Sequence, residues 1–413
     1  MQVPIEQLLN LPDIRVLNVE VTEREIKCDI ESTRGYSICH RCGQKATKFF
    51  EHGETITLRH LPICEKDVSL YLRTKRYRCL YCDGRPTTTE RGDWYDADAK
   101  CTKVFAEFLL RALVNSTISD VSIKYRVPYD RVRGVLSRYV NGEVDWNQFQ
   151  HLCQIGLDEI SLRKGHGDFV AIVSTRDDRE KPVVLAVLEN RKKETVAAFL
   201  KSIPEHLRAT IKEVCTDLYE GFINAAKEVL PDAKVVGDRF HVTKLYRAAL
   251  DDLRKKEMKE LKDILDKQEY AGLKGVLWAL RKKPENLEPE EQEVLELLFK
   301  CSRDLRKAYA LREKLTQIFD TKQSPETARK AIRNWIAEVR RSSLDCFDKF
   351  LNTLEGHLEI ITNYFTHRST SGWVEGLNNK IKVLKRRCYG IANPTNLFRR
   401  IWLDLRGYEA FAH

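Results

Sequence analysis

The sequence predicts a multidomain α/β protein. Three observations carry that expectation: paired C-x-x-C motifs near the N-terminus, apolar strands from residue 151 whose later members alternate with helices, and a charged, helix-patterned stretch over 248–366. A chain of 413 residues is sized for several domains, and 42% apolar content suffices to fill their cores. Lysine and arginine number 71 against 61 acids, and the net charge of +10 favours an anionic partner such as nucleic acid. No apolar run reaches membrane-spanning length, and the N-terminus lacks the cationic start and apolar core of a signal peptide. A cytoplasmic protein with no membrane partner is expected. Twelve cysteines, four of them in close pairs and the rest scattered singly, argue against a disulfide scaffold.

Residues 1–100 read as strands and loops around a metal site. Cys39-His-Arg-Cys42 and Cys79-Leu-Tyr-Cys82 each put two thiolates on a tight knuckle, and two knuckles make a tetrahedral four-sulfur cage for Zn2+. Four thiolates leave no open coordination position, so this zinc folds the module and does not catalyse. Val68, Leu70 and Leu72 alternate with Ser69, Tyr71 and Arg73, which predicts a strand over 68–78 that delivers the second knuckle. His40 and His60 are substitute ligands that the two pairs make unnecessary. Cys28 and Cys64 are expected in the core.

Residues 101–150 hold helical patterns over 104–114, 119–125 and 129–140, the last entered through Val127-Pro128, and then a polar linker. Three helices with a tight turn before the last match a helix-turn-helix. Its third helix would lie in the major groove, with Arg131 and Arg133, beside Tyr129 and Asp130, as DNA contacts. Generic three-helix packing gives the same pattern.

From residue 151 the period changes. Strands are expected over 153–157, 169–175 and 182–188, then a helix over 194–202, a strand over 211–215, a helix over 219–230 stopped by Pro231, and a strand over 233–237. Three meandering strands followed by strand-helix alternation is the order of a ribonuclease-H-like sheet, with its first part at 151–247. That topology sets the first and fourth strands side by side and parallel, about 5 Å apart. Asp158 and Asp217 then end neighbouring strands, where a carboxylate pair repels itself unless a cation lies between. Two Mg2+ (or Mn2+) ions on such oxygens can activate a water or a 3′-hydroxyl for in-line phosphoryl displacement. Acids also commonly end strands facing solvent, and a third acid is needed to close the site.

Residues 248–366, too long for a loop, fit an all-helical insertion: a DNA clamp, a dimer surface or a cap. The chain returns to the core over 367–413, beginning with STSGWVEGLNNKIKVLKRRCYG at 369–390. Val374, Leu377, Ile381 and Leu384 form an apolar stripe, while Glu375, Lys382 and Arg386 share another face flanked by Asn378 and Asn379. Ser369, Thr370 and Ser371 offer capping hydroxyls. One acid amid such cations suits a surface that holds both a metal and a polyanion, with Asn378, Lys380, Lys382, Lys385 and Arg386 as DNA contacts. A solvated basic helix has the same pattern.

The run Ile155-Gly-Leu-Asp-Glu159, the stretch from Asp217 ending P-D-A-K-V-V-G-D-R-F-H at His241, and S-x-x-x-E-G-L-N-N-K-I-K from Ser371 to Lys382 resemble the bacterial insertion-sequence transposases of the ISL-three family, which are DDE transposases. The likeness covers nearly the whole chain, including the zinc module, the helix-turn-helix and the helical insertion. One departure is Pro86-Thr-Thr-Thr-Glu90, where an aromatic followed by Glu is expected after the second knuckle. The resemblance implies that Asp158, Asp217 and Glu375 are the acidic triad, holding two magnesium ions, and that Asp238 and His241 are a supporting D-x-x-H signature. The implied function is a DNA transposase, a homodimer or higher on DNA, that binds the terminal inverted repeats of its insertion sequence and performs metal-dependent strand cleavage and strand transfer into target DNA. The alternatives are a catalytically inactive, domesticated sequence-specific DNA-binding protein and a structure-specific nuclease on the same fold.

Overall fold

The computed structural model describes residues 4–162, 169–367 and 372–412. The hydroxyls of Ser369, Thr370 and Ser371 and the side chain of Glu375 lie outside what is described. Contacts divide the chain into two compact units, Met1–Gly142 with Arg399–His413, and Glu143–Phe398.

The first unit begins with a short helix, α1 (Ile5–Leu9), and the strands β1 (Ile14–Val21), β2 (Glu25–Ser32), β3 (Ser37–Ile38), β4 (Lys45–Ala46), β5 (Lys48–Ile63), β6 (Lys66–Arg78), β7 (Thr87–Thr89), β8 (Tyr95–Asp96) and β9 (Cys101–Thr102). Seven of them form one sheet in the order β1-β2-β6-β5-β9-β8 with β7 on β6, and β3 pairs with β4 as a separate hairpin. The alternation expected over 68–78 is realised in β6, which buries Val68, Leu70 and Leu72 against Ile26, Ile30 and Leu58. Cys28 is buried with them, whereas Cys64 is exposed. Cys64 and Glu65 have φ of 49° and 62°, so they form the two-residue turn between β5 and β6, and turn tips face water. Three helices follow: α2 (Lys103–Leu113), α3 (Ile118–Tyr125) and α4 (Tyr129–Tyr139). Thr102 caps the first through the Phe105 amide, and Phe105, Leu109, Leu113, Val132 and Val135 make the shared core.

The second unit contains β10 (Gln154–Ser161), β11 (Phe169–Arg176), β12 (Pro182–Leu188), α5 (Lys193–Ser202), α6 (Glu205–Arg208), β13 (Glu213–Thr216), α7 (Glu220–Val229) and β14 (Lys234–Gly237). Its sheet runs β12-β11-β10-β13-β14, antiparallel across the first three strands and parallel from β10 through β13 to β14. One expected boundary moves. β10 does not end at Leu157 but continues four residues further, because β11 keeps pairing with it, Asp158 opposite Ile172 and Ser161 opposite Phe169. Only its pairing with β13 stops at Leu157.

The helical stretch begins earlier than the pattern indicates. α8 (Arg239–Ile264) starts straight after β14, capped by the Asp238 carboxylate, which accepts from the Phe240 amide. It is followed by α9 (Lys267–Ala271), α10 (Val276–Ala279), α11 (Pro289–Cys301), α12 (Arg303–Asp320), α13 (Pro325–Arg341), α14 (Asp348–Gly356) and α15 (Leu358–His367). Tyr246, Trp335, Phe347 and Phe350 form the aromatic centre of their core, Tyr246 stacked on Phe347 at 4.8 Å. Then come α16 (Gly372–Arg387) and α17 (Pro394–Ala410).

The apolar stripe of α16 is as expected: Val374, Leu377, Ile381 and Leu384 are all buried. Helix and sheet meet at Gly156 of β10, where an added Cβ would lie 2.7 Å from Val374 Cγ2 and 2.9 Å from both Ser174 Oγ and Trp373. A side chain here must push the helix off the strand. Gly156→Ala is therefore expected to destabilise the second unit by about 1–3 kcal/mol. Chemical denaturation followed by tryptophan fluorescence would check it, and a neutral substitution would show that the helix can shift freely.

The C-terminal residues depart from the expected division, which assigned all of 367–413 to the core. Arg399–His413 belong to the first unit. The cause is a buried polar anchor on α17: Arg400 donates to the carbonyls of Leu113 and Ser116 at 3.1 and 2.7 Å, and Asp404 accepts from the Asn115 amide at 3.0 Å. Leu403 beside them joins the core of α2–α4. Among the described residues no helix is long and apolar enough to cross a membrane.

Candidate active site

Strand register builds the site. Leu157 pairs with Thr216 and Thr216 with Gly237, so the next residue on each of three adjacent parallel strands is an aspartate: Asp158, Asp217 and Asp238. Parallel pairing ends there, at the carboxyl ends of the strands, where a crevice opens. Asp238 serves two purposes at once. One oxygen caps α8, and the other accepts from His241 Nδ1 at 3.0 Å, three residues on and one helical turn away. That hydrogen bond sets the imidazole in the crevice, where ligand atoms of Asp158, Asp217 and His241 lie within 4.8 Å of one another.

The electrostatics are those of a site short of positive charge. Burial, aided by repulsion from Asp217 and Asp238, raises the Asp158 carboxyl to about 6, against the pull of the Glu159 amide and His241. Asp217 is also raised, mainly by burial, although the Tyr219 amide donates to it at 3.0 Å. His241 moves upward chiefly through Asp238, with both other aspartates adding to the effect. Two half-buried carboxylates that resist ionisation, side by side with an imidazole, form a donor set that fits a divalent cation.

The α16 residues divide between support and surface. Asn378 is buried and its amide donates to Asp158 Oδ2, so it is not the DNA contact expected from its place beside the polar face. The apolar stripe turns it inward, and it orients a carboxylate. Lys385 likewise points back to the core, donating to the Ser161 carbonyl, and burial lowers its pKa. Lys380, Lys382 and Arg386 are exposed. Glu375 lies on α16 one turn before Asn378. Two partners have only faint sequence signals: Asn378 follows Glu375 at the helical i+3 spacing, and Arg191, which pairs with Glu159 and lies over the Tyr219 ring, sits in an unremarkable charged turn.

In the first unit the four expected thiols converge. Cys39 Sγ lies 3.9 Å from Cys82 Sγ and Cys42 Sγ lies 3.7 Å from Cys79 Sγ. A tetrahedron of about 2.3 Å zinc–sulfur bonds has edges of about 3.8 Å, whereas a disulfide needs about 2.05 Å. Gly43, at φ 71° just after the first pair, lets the chain turn so that its amide reaches the Cys39 carbonyl. Backbone amides of Cys42 and Arg41 lower Cys39 to about 6, while the crowded sulfurs push Cys82 up to about 12. Four thiolates share this space only around a cation. His40 and His60 stand apart, bonded to Thr88 and to Thr102 and Leu9. On α4, Arg133 is exposed and paired with Asp130 at 3.0 Å, Arg131 is half-buried, and Tyr129 is 47% exposed.

Both centres fall within stretches of the chain that match known proteins. Residues 36–82 match the zinc-finger of the transposases of IS204, IS1001, IS1096 and IS1165. The transposase for IS1001 of Bordetella parapertussis is 27% identical over 383 residues, covering 92% of this chain and 91% of that protein. The transposase for IS1557 of Mycobacterium tuberculosis is 25% identical over 394 residues, covering 90% and 86%. Among solved structures, the Drosophila P element transposase strand transfer complex is similar at a TM-score of 0.40 and 13% identity, over 74% of this chain and 93% of that one. Residues 155–401, which carry the aspartates, His241 and all of α16, match the family model described as the ISL3 transposase, and the chain belongs to that family.

Proposed function

We propose that this chain is a DNA transposase that binds the terminal inverted repeats of its insertion sequence and cleaves and rejoins strands with divalent metal at Asp158, Asp217 and Glu375. The observation that carries the reading is the register of the three parallel strands, which brings Asp158, Asp217 and Asp238 level and sets His241 among them. In this reading the five-stranded sheet is a ribonuclease-H-like core, residues 248–366 are its insertion, and α2–α4 are a helix-turn-helix. Two magnesium or manganese ions, when bound, would supply polarisation of the scissile phosphate and of the attacking water or 3′-hydroxyl.

The protein's own residues do the rest. Asn378 and the Glu159 amide hold Asp158 from two sides and fix its oxygens. Asp238 accepts a hydrogen bond from His241 Nδ1, leaving Nε2 to accept or return a proton at the reacting oxygens. Glu375 supplies the third carboxylate from α16. Lys382 and Arg386, seven and eleven residues on along the same helical face, hold phosphates of the strand being cut, with Lys380 beside them. Arg131 and Arg133 at the start of α4 read the repeat, and the Cys39, Cys42, Cys79 and Cys82 cage keeps the zinc module folded. Two element ends must be joined to one target, so the working form is a homodimer or larger, acting on DNA in the cytoplasm.

Magnesium-dependent nicking of a duplex carrying the terminal repeat tests the reading. Glu375→Gln is expected to lower the nicking rate at least a hundredfold, about 3 kcal/mol, with repeat binding retained in a gel-shift assay. Undiminished nicking would remove Glu375 from the site.

A further inference from the structure

A cavity of the second unit lies beside the metal crevice and shares Asp238 with it. It has a volume of about 330 Å³ and lies between α8 and α12, with Arg281 and Lys283 at its edge. That volume is at the lower end of the ~300–1,000 Å³ typical of small-ligand pockets. The floor is aromatic and fixed: Tyr246 and Phe319 are buried, and the Tyr246 hydroxyl donates to the Ala308 carbonyl at 2.6 Å. The wall is one face of α8, where Phe240, Thr243 and Arg247 recur at helical spacing. Phe240 is 42% exposed, an unusual position for a phenylalanine two residues from Asp238.

The charge of the pocket is unbalanced. Asp320 neutralises Arg239 and Lys283, and Glu313 pairs with Arg312, whose guanidinium is also tied to the Leu280 and Lys282 carbonyls. Arg247 and Arg281 have no carboxylate partner among the described residues; Arg281 lies over the Trp278 ring at 5.5 Å. Partial burial, with repulsion from Arg312 and Arg281, lowers the pKa of Arg247.

We infer that this pocket receives one unpaired nucleotide of the DNA strand held in the metal crevice, its base stacked on Phe240 and its phosphate held by Arg247 and Arg281. The inference rests on the transposase reading given above. Three features match the ligand: an accessible aromatic ring for any base, two uncompensated guanidiniums for a phosphate, and a wall shared with the site where the strand would be cut. A nucleotide beside the scissile phosphate is within reach, and drawing it out of the stack would fix the register of the end in the crevice.

Fluorescence anisotropy of the full-length protein tests this. Two labelled duplexes carry the terminal repeat, one fully paired and one with a single mismatched nucleotide beside the cleavage position. The wild type is expected to bind the mismatched duplex roughly tenfold or more tighter. Phe240→Ala and Arg281→Ala are each expected to bring that ratio close to one while leaving affinity for the paired duplex unchanged. A wild-type ratio near one, or a ratio that survives both substitutions, overturns the inference. So does tight binding of free dATP or dGTP that needs Phe240 and blocks no mismatch preference, which would make the occupant a free nucleotide. Nicking of the paired duplex is read separately: if it persists while the ratio is one, the pocket assignment fails and the transposase reading stands.

Discussion

Asp158→Asn is expected to give a protein that is more stable than the wild type in the presence of a chelator at pH 7.5 and unable to nick DNA in magnesium. The two effects have one cause. In the metal-free fold Asp158 keeps its proton to about pH 6, whereas in the unfolded chain it loses it near 4. Between those values the folded state binds more protons, so stability falls as pH rises through the window, and above it the folded protein carries the full cost of a buried carboxylate. The shift corresponds to at most about 3 kcal/mol. Asparagine removes that cost and can still accept from Asn378, but its amide turns a donor towards the Glu159 N–H, a loss of about 1 kcal/mol. A net gain of about 1–2 kcal/mol should raise the melting temperature of a unit this size by a few degrees.

Catalysis goes the other way. Losing a carboxylate ligand should lower the nicking rate by about a thousandfold or more, roughly 4 kcal/mol. Magnesium should stabilise the wild type more at pH 7.5 than at pH 5.5, because cation and proton compete for Asp158, and should not stabilise Asp158→Asn appreciably. Differential scanning fluorimetry at the two pH values, with and without magnesium, reads all three effects. A variant that melts earlier than the wild type in chelator, or one that still nicks, would sink the assignment.

What was legible in the sequence follows from where the information is local. Strand order, the paired thiols and the buried stripe of α16 are set by periodicity and spacing, and each is found where its pattern places it. Asp158 and Asp217 can be singled out because apolar runs stop at them. Asn378 shows where spacing stops being enough. Helical spacing sets it beside the polar face, and only the tertiary packing of α16 on β10, made close by Gly156, turns its amide towards Asp158. The start of α8 was hidden too, since Arg239-Phe-His lacks the apolar periodicity of a core helix and its signal is a single cap from Asp238. The place of Arg399–His413 could not be read at all: Arg400 and Asp404 look like solvated charges on a helix, and their partners are backbone groups nearly 300 residues earlier.

Zinc removal is expected to have the largest local effect on stability, and its reach can be bounded from the cores. The apolar cluster around the thiols consists of Ala46 and Tyr77 beyond the cysteines themselves, too little to hold the β3–β4 hairpin against the entropy of ordering it. The sulfur cage joins that hairpin to the end of β6, and a four-thiolate site is worth on the order of 10 kcal/mol in apparent binding energy. The sheet core around Leu58, Val68 and Leu70 and the core of α2–α4 contain none of the four ligands. A chelator, or Cys42→Ser, should therefore unfold residues 36–47 and 79–86 and leave the rest of the first unit intact. Hydrogen exchange with peptide resolution would show fast exchange confined to those two segments, together with one zinc per chain in the untreated protein by elemental analysis. Affinity for the terminal repeat should fall with them, because the exposed Tyr81 and the arginines Arg41 and Arg85 around the knuckles lose their placement. Unchanged protection after the metal is gone would mean that packing, and not zinc, holds the knuckles together.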